Sequence, residues 1–312
     1  MARRGAERRR RARGRAATAL EVAAGILVAA WLAGQLARDA TLPTALLFYL
    51  PSLLVALVLS LLAGSALAAR GRALAILLAA LPPLVVGVAV EHRWHRPATA
   101  SRAAGSPLRL LHWNVSGGWA GLDEIAHEIA RRRPDLVVLS EAPERVARRV
   151  AGELPELDAR TLDALSVFAA GVGEPEWIER SRELQLVAVS LPWRGRRLRL
   201  LAANLASSPW IPRQPSLARV RAAIVALEPD LVVGDFNAPR RSRVLSRLPA
   251  GYRHAYEVAG SGWSASWPDP VPLLSLDHVI VGRAIGVRAY ALESGGWSDH
   301  RLQLAELDVA AP

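Results

Sequence analysis

Residues 232–239 read VVGDFNAP: two β-branched residues, a glycine, then an aspartate and an asparagine two positions apart. One reading is a strand running into a turn, because Gly, Asp and Asn favour turns through backbone freedom and side-chain hydrogen bonds. A chemical reading competes with it. A strand that ends with Asp235 and Asn237 one pleat repeat apart offers a carboxylate and an amide to whatever lies beyond its tip. The stretch alone does not choose between the two.

The chain from Leu108 onward repeats the same device. LRLLHWNV reads as a strand ending at Asn114, and GLDEIAHEIARRR as an amphipathic helix with Ile125 and Ile129 on one face, closed by Pro134. PDLVVLSEAPE is a second buried strand that delivers Glu141. SVFAAG, ELQLVAVSL and RRLRLLAANL are further strands, the last delivering Asn204. LARVRAAIVALEP is a helix ahead of DLVVGDFN, LLSLDHVIVG carries Asp277, and LQLAELDV is the terminal strand. Just before that strand, SDH adds Asp299 and His300. One polar residue at a strand tip is ordinarily a turn former. Strand after strand ending in a carboxylate or amide, in a chain without cysteine, points to a site for a hard cation and a phosphate. Oxygen ligands suit Mg²⁺ or Mn²⁺.

HWNV, LSE, GDFN, LDHVIV and SDH, in this order and spacing, resemble the endonuclease/exonuclease/phosphatase superfamily, to which deoxyribonuclease I belongs. The resemblance runs from about Leu108 to the end. It implies an α+β fold: a four-layer αββα sandwich of two mixed sheets between helices, with the site where the sheets meet. It also implies metal-dependent hydrolysis of a phosphodiester or phosphomonoester by in-line attack of water. On the matching motifs, Glu141 is the implied principal metal ligand, with Asn114 beside it and Asp299 sharing the ion. Asp235 orients or deprotonates the water, and Asn237 donates to the phosphate. His300 contacts the phosphate and is held by Asp277, whose other reading is a mere strand-edge residue. The SWPDP segment and the apolar N-terminal third resemble a bacterial membrane-bound branch.

One position departs from the pattern. Many members carry a histidine where this chain has Asn204, and an amide cannot supply a proton. Repair-type members are similar to this chain in having Asn near this point, where it binds phosphate. Asn204 therefore shifts the expectation away from a two-histidine mechanism, and it keeps a catalytically weakened binding module open as an alternative. His278 falls on the opposite strand face from Asp277 and is left out of the site. His112, His127 and His254 read as ordinary surface or helix residues. Trp193, Trp210, Trp263, Trp267 and Trp297 fall in loops, where they line the site mouth, touch lipid head groups or simply pack.

Charge and hydropathy divide the chain. Its net charge is +11, but residues 1–105 hold 14 arginines against four acidic residues, and residues 106–312 hold 25 against 24. A nearly neutral domain disfavours tight duplex binding. The absence of cysteine excludes disulfides and thiolate chemistry. After a basic tail over 1–16, residues 17–90 contain three charge-free blocks: Val22 to Ala37, Ala40 to Ala69 and Ala73 to Val90. A span needs roughly 20 apolar residues. The expectation is three transmembrane helices, with a signal peptide as the competing reading of the first. The basic tail, together with Arg70 and Arg72 in the second loop, orients the N-terminus inward. Residues 91–107 then form a linker, and the domain over 108–312 emerges outside the cytoplasm. Expected partners are a phosphate-ester substrate (a lipid head group, nucleotide or nucleic acid) and the bilayer, with no obligate protein partner. The expected function is a membrane-anchored phosphoesterase, the alternative an extracytoplasmic nuclease of the same family.

Overall fold

The computed structural model describes residues 2–69, 71–94 and 107–310. Arg70 and most of the linker segment, residues 95–106, lie outside the described residues. The chain divides into two compact units, Met1–His92 and Arg93–Pro312.

The first unit is helical: α1 (Ala2–Ala37), α2 (Leu42–Phe48), α3 (Ser52–Ala68), α4 (Ala73–Ala79) and α5 (Leu81–Val85), the last running into a π-helical turn over Val86–Glu91. α1 continues through the basic segment without a break. The second apolar block is not one straight helix. Pro51 has no N–H to continue the ladder, and α2 and α3 meet there at 69°. Among the described residues, two helical stretches are long and apolar enough to cross a membrane, Ala6–Ala37 and Ala73–Glu91, and the bent α2–α3 pair is a third candidate. Inside, Trp31 packs with Val55 and Leu59. Its Nε1 donates to Ser52 Oγ at 3.0 Å, and Ser52 Oγ donates to Glu91 Oε1 at 2.6 Å. Outside, large aliphatic side chains face outward: Leu36 is 85% exposed and Leu67 71%. The outer surface of this helical unit is therefore largely apolar.

The second unit contains β1 (Leu108–Asn114), α6 (Leu122–Ala130), β2 (Leu136–Ser140), α7 (Glu144–Glu153), β3 (Asp158–Leu162), β4 (Leu165–Ala169), β5 (Glu176–Arg180), β6 (Leu184–Trp193) and β7 (Arg196–Leu205). It continues with α8 (Arg213–Leu227), β8 (Leu231–Asp235), β9 (Arg253–His254), α9 (Ala255–Ala259), β10 (Asp277–Val281), β11 (Ile285–Glu293) and β12 (Leu302–Val309). Two six-stranded sheets form, in the orders β11-β12-β1-β2-β4-β3 and β5-β6-β7-β8-β10-β9. Each is mixed, with one parallel pair at its centre: β1 with β2, and β7 with β8. Leu110, Val138, Leu200 and Val233 belong to the core between the sheets. Ile125 and Val146 cover the outer face of the first sheet, and Leu217 and Ile224 that of the second. Burying each such side chain contributes about 1.5–3 kcal/mol. The result is two mixed sheets between helices, an α+β sandwich.

The parallel pairs matter most for chemistry. Their C-terminal ends carry Asn114 and Glu141 in one sheet, and Asn204 and Asp235 in the other. Gly234 makes the second pair possible. Its φ is +154°, and an added Cβ would lie 1.8 Å from the carbonyl oxygen of Ala203, its register partner. The glycine of GDFN is therefore a close-approach residue within a strand, not the start of a turn.

Candidate active site

Strand register assembles one side of the site. Asn204 is paired with Asp235 across β7 and β8, and Asp235 with Asp277 across β8 and β10. Residues directly opposed in a sheet point to the same face, so these three side chains form a row on the face turned toward the first sheet. That face is otherwise apolar, and the row sits at the end of β8, beyond the apolar core.

The turn after β8 differs from the expected D-x-N geometry. The strand ends at Asp235, and Asn237 has φ +45°, in the left-handed region. Asn237 reaches Asp235 by this turn, not by the strand pleat. Its backbone N–H donates to Asp235 Oδ1 at 2.8 Å. Its amide Nδ2 donates to Asp235 Oδ2 at 3.0 Å and to Leu205 O at 2.8 Å. Both amide protons are thus engaged in holding Asp235 and the β7 end. VVGDFNAP is thus a strand running into a turn, and the turn positions the Asp235 carboxylate.

Asn114 joins the two sheets. Its Nδ2 donates to Asp235 Oδ2 at 2.9 Å and to Glu141 Oε1 at 3.1 Å, and its Oδ1 accepts from Ser116 N–H at 2.9 Å. Glu141 follows β2 with φ +50°, left-handed like Asn237 and Ser116. Non-glycine residues in that region cost on the order of 1 kcal/mol or more and cluster where function demands them.

The SDH loop completes the arrangement. Ser298 Oγ donates to the Asn114 carbonyl at 2.7 Å, tying the loop to β1, and accepts from His300 N–H at 3.1 Å. Asp299 accepts from Ser116 Oγ and, at 2.9 Å, from Trp267 Nε1 of the SWPDP segment. His300 Nδ1 lies 2.8 Å from Asp277 Oδ2. All of the residues expected at the site are therefore drawn together at the open end of the sandwich.

Electrostatics separate their roles. Burial, helped by the Asp277 charge, pushes Asp235 up to about 7. Burial would lower His300, but the Asp277 carboxylate, with Asp235 and Asp299 behind it, raises it to about 10. Asp277 is lowered: burial opposes its charge, and the His300 cation more than offsets that. Asp299 is lowered too, because its two donors outweigh its burial. Near neutral pH the site thus pairs a carboxylate poised to exchange a proton with a fixed imidazolium.

The donor set fits a hard divalent cation. Asp235, Asp277 and His300 bring ligand atoms within 4.8 Å of one another. Asp277 Oδ1 is buried with no hydrogen-bond partner among the described residues. Among the described residues, Glu141 accepts a side-chain hydrogen bond at Oε1 alone.

Two histidines are not where sequence reasoning put them, and His278 is on the strand face expected of it. His112 and His254 are buried, not on the surface, and burial lowers them to about 4 and about 3. His278 lies on the face away from Asp277, stacked near Phe236 and His254, with Nε2 on Ala238 O at 2.9 Å. His112 contacts Gln303 and Ser140 directly beneath the site. It sits two residues before Asn114 on the same strand face, and that spacing could have found it. Of the tryptophans, Trp267 holds Asp299 and Trp263 donates to Pro272 O at 2.7 Å. Trp193 ends β6 rather than lying in a loop, and Trp210 is 69% exposed. Trp119, which the sequence reading passed over, is 85% exposed beside the β1 end and lies under Arg145 at 5.0 Å.

Residues 111–300 match the endonuclease/exonuclease/phosphatase family, a stretch that begins just before Asn114 and closes on His300. Solved structures agree with the fold. A humanized D. rerio TDP2 superposes with a TM-score of 0.57 at 19% identity, over 66% of this chain and 100% of that one. D. rerio TDP2 complexed with a single-strand DNA product gives 0.56 at 18%, with the same coverage. An endonuclease/exonuclease/phosphatase from Bacteroides vulgatus gives 0.51 at 16%, again over 66% and 100%. No curated protein matches this chain.

Proposed function

The chain belongs to the endonuclease/exonuclease/phosphatase family of metal-dependent phosphoester hydrolases, and from that premise we propose a membrane-anchored phosphoesterase working outside the cytoplasm with Mg²⁺ or Mn²⁺. The observation that carries the reading is Asn114, one hydrogen bond from Glu141 and one from Asp235. It fixes a cation anchor and a proton acceptor against each other across the two sheets. Glu141, Asn114 and Asp299 would hold the cation, which supplies charge neutralisation at the phosphoryl oxygens.

The chain's own groups do the rest. Asp235, ionised above about pH 7, takes the proton of the attacking water at a carboxylate oxygen. Asn237 keeps that carboxylate oriented. His300, an imidazolium held by Asp277, donates from Nε2 to a phosphoryl oxygen. Asn204, next in register to Asp235, binds the phosphate through its amide. Anchoring is supported by the outward-facing apolar surface of α1 to α5, read as three spans with the bent pair as one, followed by a linker and the catalytic domain. Orientation follows the basic start of α1.

A nuclease of the same family is the second reading. The DNA-bound D. rerio TDP2 favours it, as does exposed Trp119 at the site mouth, since aromatic faces stack bases. The test has two arms. A C-terminal alkaline phosphatase fusion should be active and a fluorescent-protein fusion dark; the reverse sinks the topology. Purified full-length chain should hydrolyse phospholipid in vesicles in preference to a single-stranded oligonucleotide, with EDTA abolishing turnover. Preference for the oligonucleotide would hand the case to the nuclease. No turnover of either substrate would leave a binding module.

A further inference from the structure

Beneath the reacting groups lies a second polar layer that the proposed chemistry does not use. Ser140, His112 and Gln303 come from three neighbouring strands of the first sheet, β2, β1 and β12. His112 and Gln303 are direct register partners. All three are essentially inaccessible to solvent. They stand between the apolar core and Asp277, which belongs to the other sheet.

Their hydrogen bonds have a forced direction. Gln303 Nε2 donates to the backbone carbonyl of Asp277 at 2.7 Å, which leaves Gln303 Oε1 as an acceptor. His112 Nδ1, 3.2 Å from that oxygen, must therefore carry the proton. Its Nε2 is then an acceptor and receives the Ser140 hydroxyl at 3.2 Å. The same Nδ1–H faces Asp277 Oδ1 at 3.9 Å, the carboxylate oxygen that has no hydrogen-bond partner among the described residues. Asp277 is thus held at the front by His300 and at its backbone by Gln303, with His112 behind. The three side chains are inaccessible to bulk solvent, so breaking one link leaves a buried polar group without its partner.

We propose that Ser140, His112 and Gln303 form a hydrogen-bonded strut that positions Asp277, and through it His300, for the hydrolytic reaction. His112 and Gln303 are positioning residues and touch no substrate. The inference rests on the phosphoesterase reading for its kinetic consequence and on geometry alone for the strut.

The test is a double-mutant cycle on the full-length chain in detergent, with bis(p-nitrophenyl) phosphate and saturating Mg²⁺. His112→Phe keeps a planar ring, somewhat larger than imidazole, and removes both polar nitrogens. It should lower kcat about 10- to 30-fold and leave KM within about twofold, the mark of misplacement rather than lost binding. His112→Asn places an N–H near the former Nδ1 and should restore most of kcat. In an Asp277→Asn background, His112→Phe should cost nothing further. Equal losses in both backgrounds overturn the strut, as does Asn proving as harmful as Phe in folded protein. If His112→Phe does not fold, Gln303→Leu takes its place in the cycle. Thermal unfolding gives a readout independent of turnover: His112→Phe and Gln303→Leu together should cost less than the sum of the two. Absence of wild-type turnover sinks the phosphoesterase reading, and the stability cycle then decides the strut, with additive losses overturning it.

Discussion

Replacing Asp277 with Asn should move the whole pH profile of the enzyme toward acid. In the wild type, His300 is raised from 6.5 to about 10, so at pH 8.5 it is almost wholly cationic. That shift corresponds to about 5 kcal/mol of preferential proton binding by the folded site. Asp277→Asn removes the charge and keeps the burial, and burial lowers a histidine. His300 should then titrate near or below its ordinary value. At pH 8.5 only about 1% would stay protonated, and kcat/KM should fall on the order of 10²-fold from this cause. At pH 6 the deficit should be far smaller. The acid limb should move the same way, because the Asp277 charge is one cause of the raised Asp235. Stability carries the same sign. A histidine whose folded pKa is raised contributes stability that is fully present below 6.5 and lost as pH rises through about 10. The wild-type unfolding midpoint should therefore decline over that window, while the variant's stays flat. The assay is kcat/KM from pH 5 to 10.5 on one phosphodiester, with melting curves at each pH. An alkaline limb unmoved in Asp277→Asn would refute the dyad.

Two further outcomes test the frame around the dyad. Glu141→Gln keeps the shape and removes the anchoring charge, so it should raise the Mg²⁺ concentration for half-maximal activity at least about tenfold, while Asp277→Asn leaves that concentration nearly unchanged; the reverse result would place the cation in the Asp235–Asp277–His300 cluster instead. Gly234→Ala should destabilise the second unit by at least about 3 kcal/mol and abolish turnover, because a Cβ 1.8 Å from Ala203 O forces β7 and β8 apart beside Asn204 and Asp235; a midpoint equal to wild type in urea would count against the close-approach account.

The sequence by itself determined the strands that carry the site, β1, β2, β7, β8 and β10, and the identity of the polar residues at their tips. Alternation along LRLLHWNV and RRLRLLAANL fixes which side chains share a face, and a polar residue at the end of such a run is visible without coordinates. The apolar blocks of the N-terminal third were equally legible, as hydropathy needs no partner. Tertiary structure decided what pairing and backbone angle control. Strands β3, β5, β9 and β11 are short, half-exposed or polar, so their hydrogen-bonding neighbours define them rather than their own pattern. Asn237 reaches Asp235 by a left-handed turn, which no residue period encodes. Pro51 announces a possible break, but the 69° bend belongs to the packing around it. His112 looked ordinary because its partners, Gln303 and Asp277, are remote in sequence. Only the docking of one sheet on the other brings them into a dry layer, where an imidazole must be hydrogen-bonded to be tolerated.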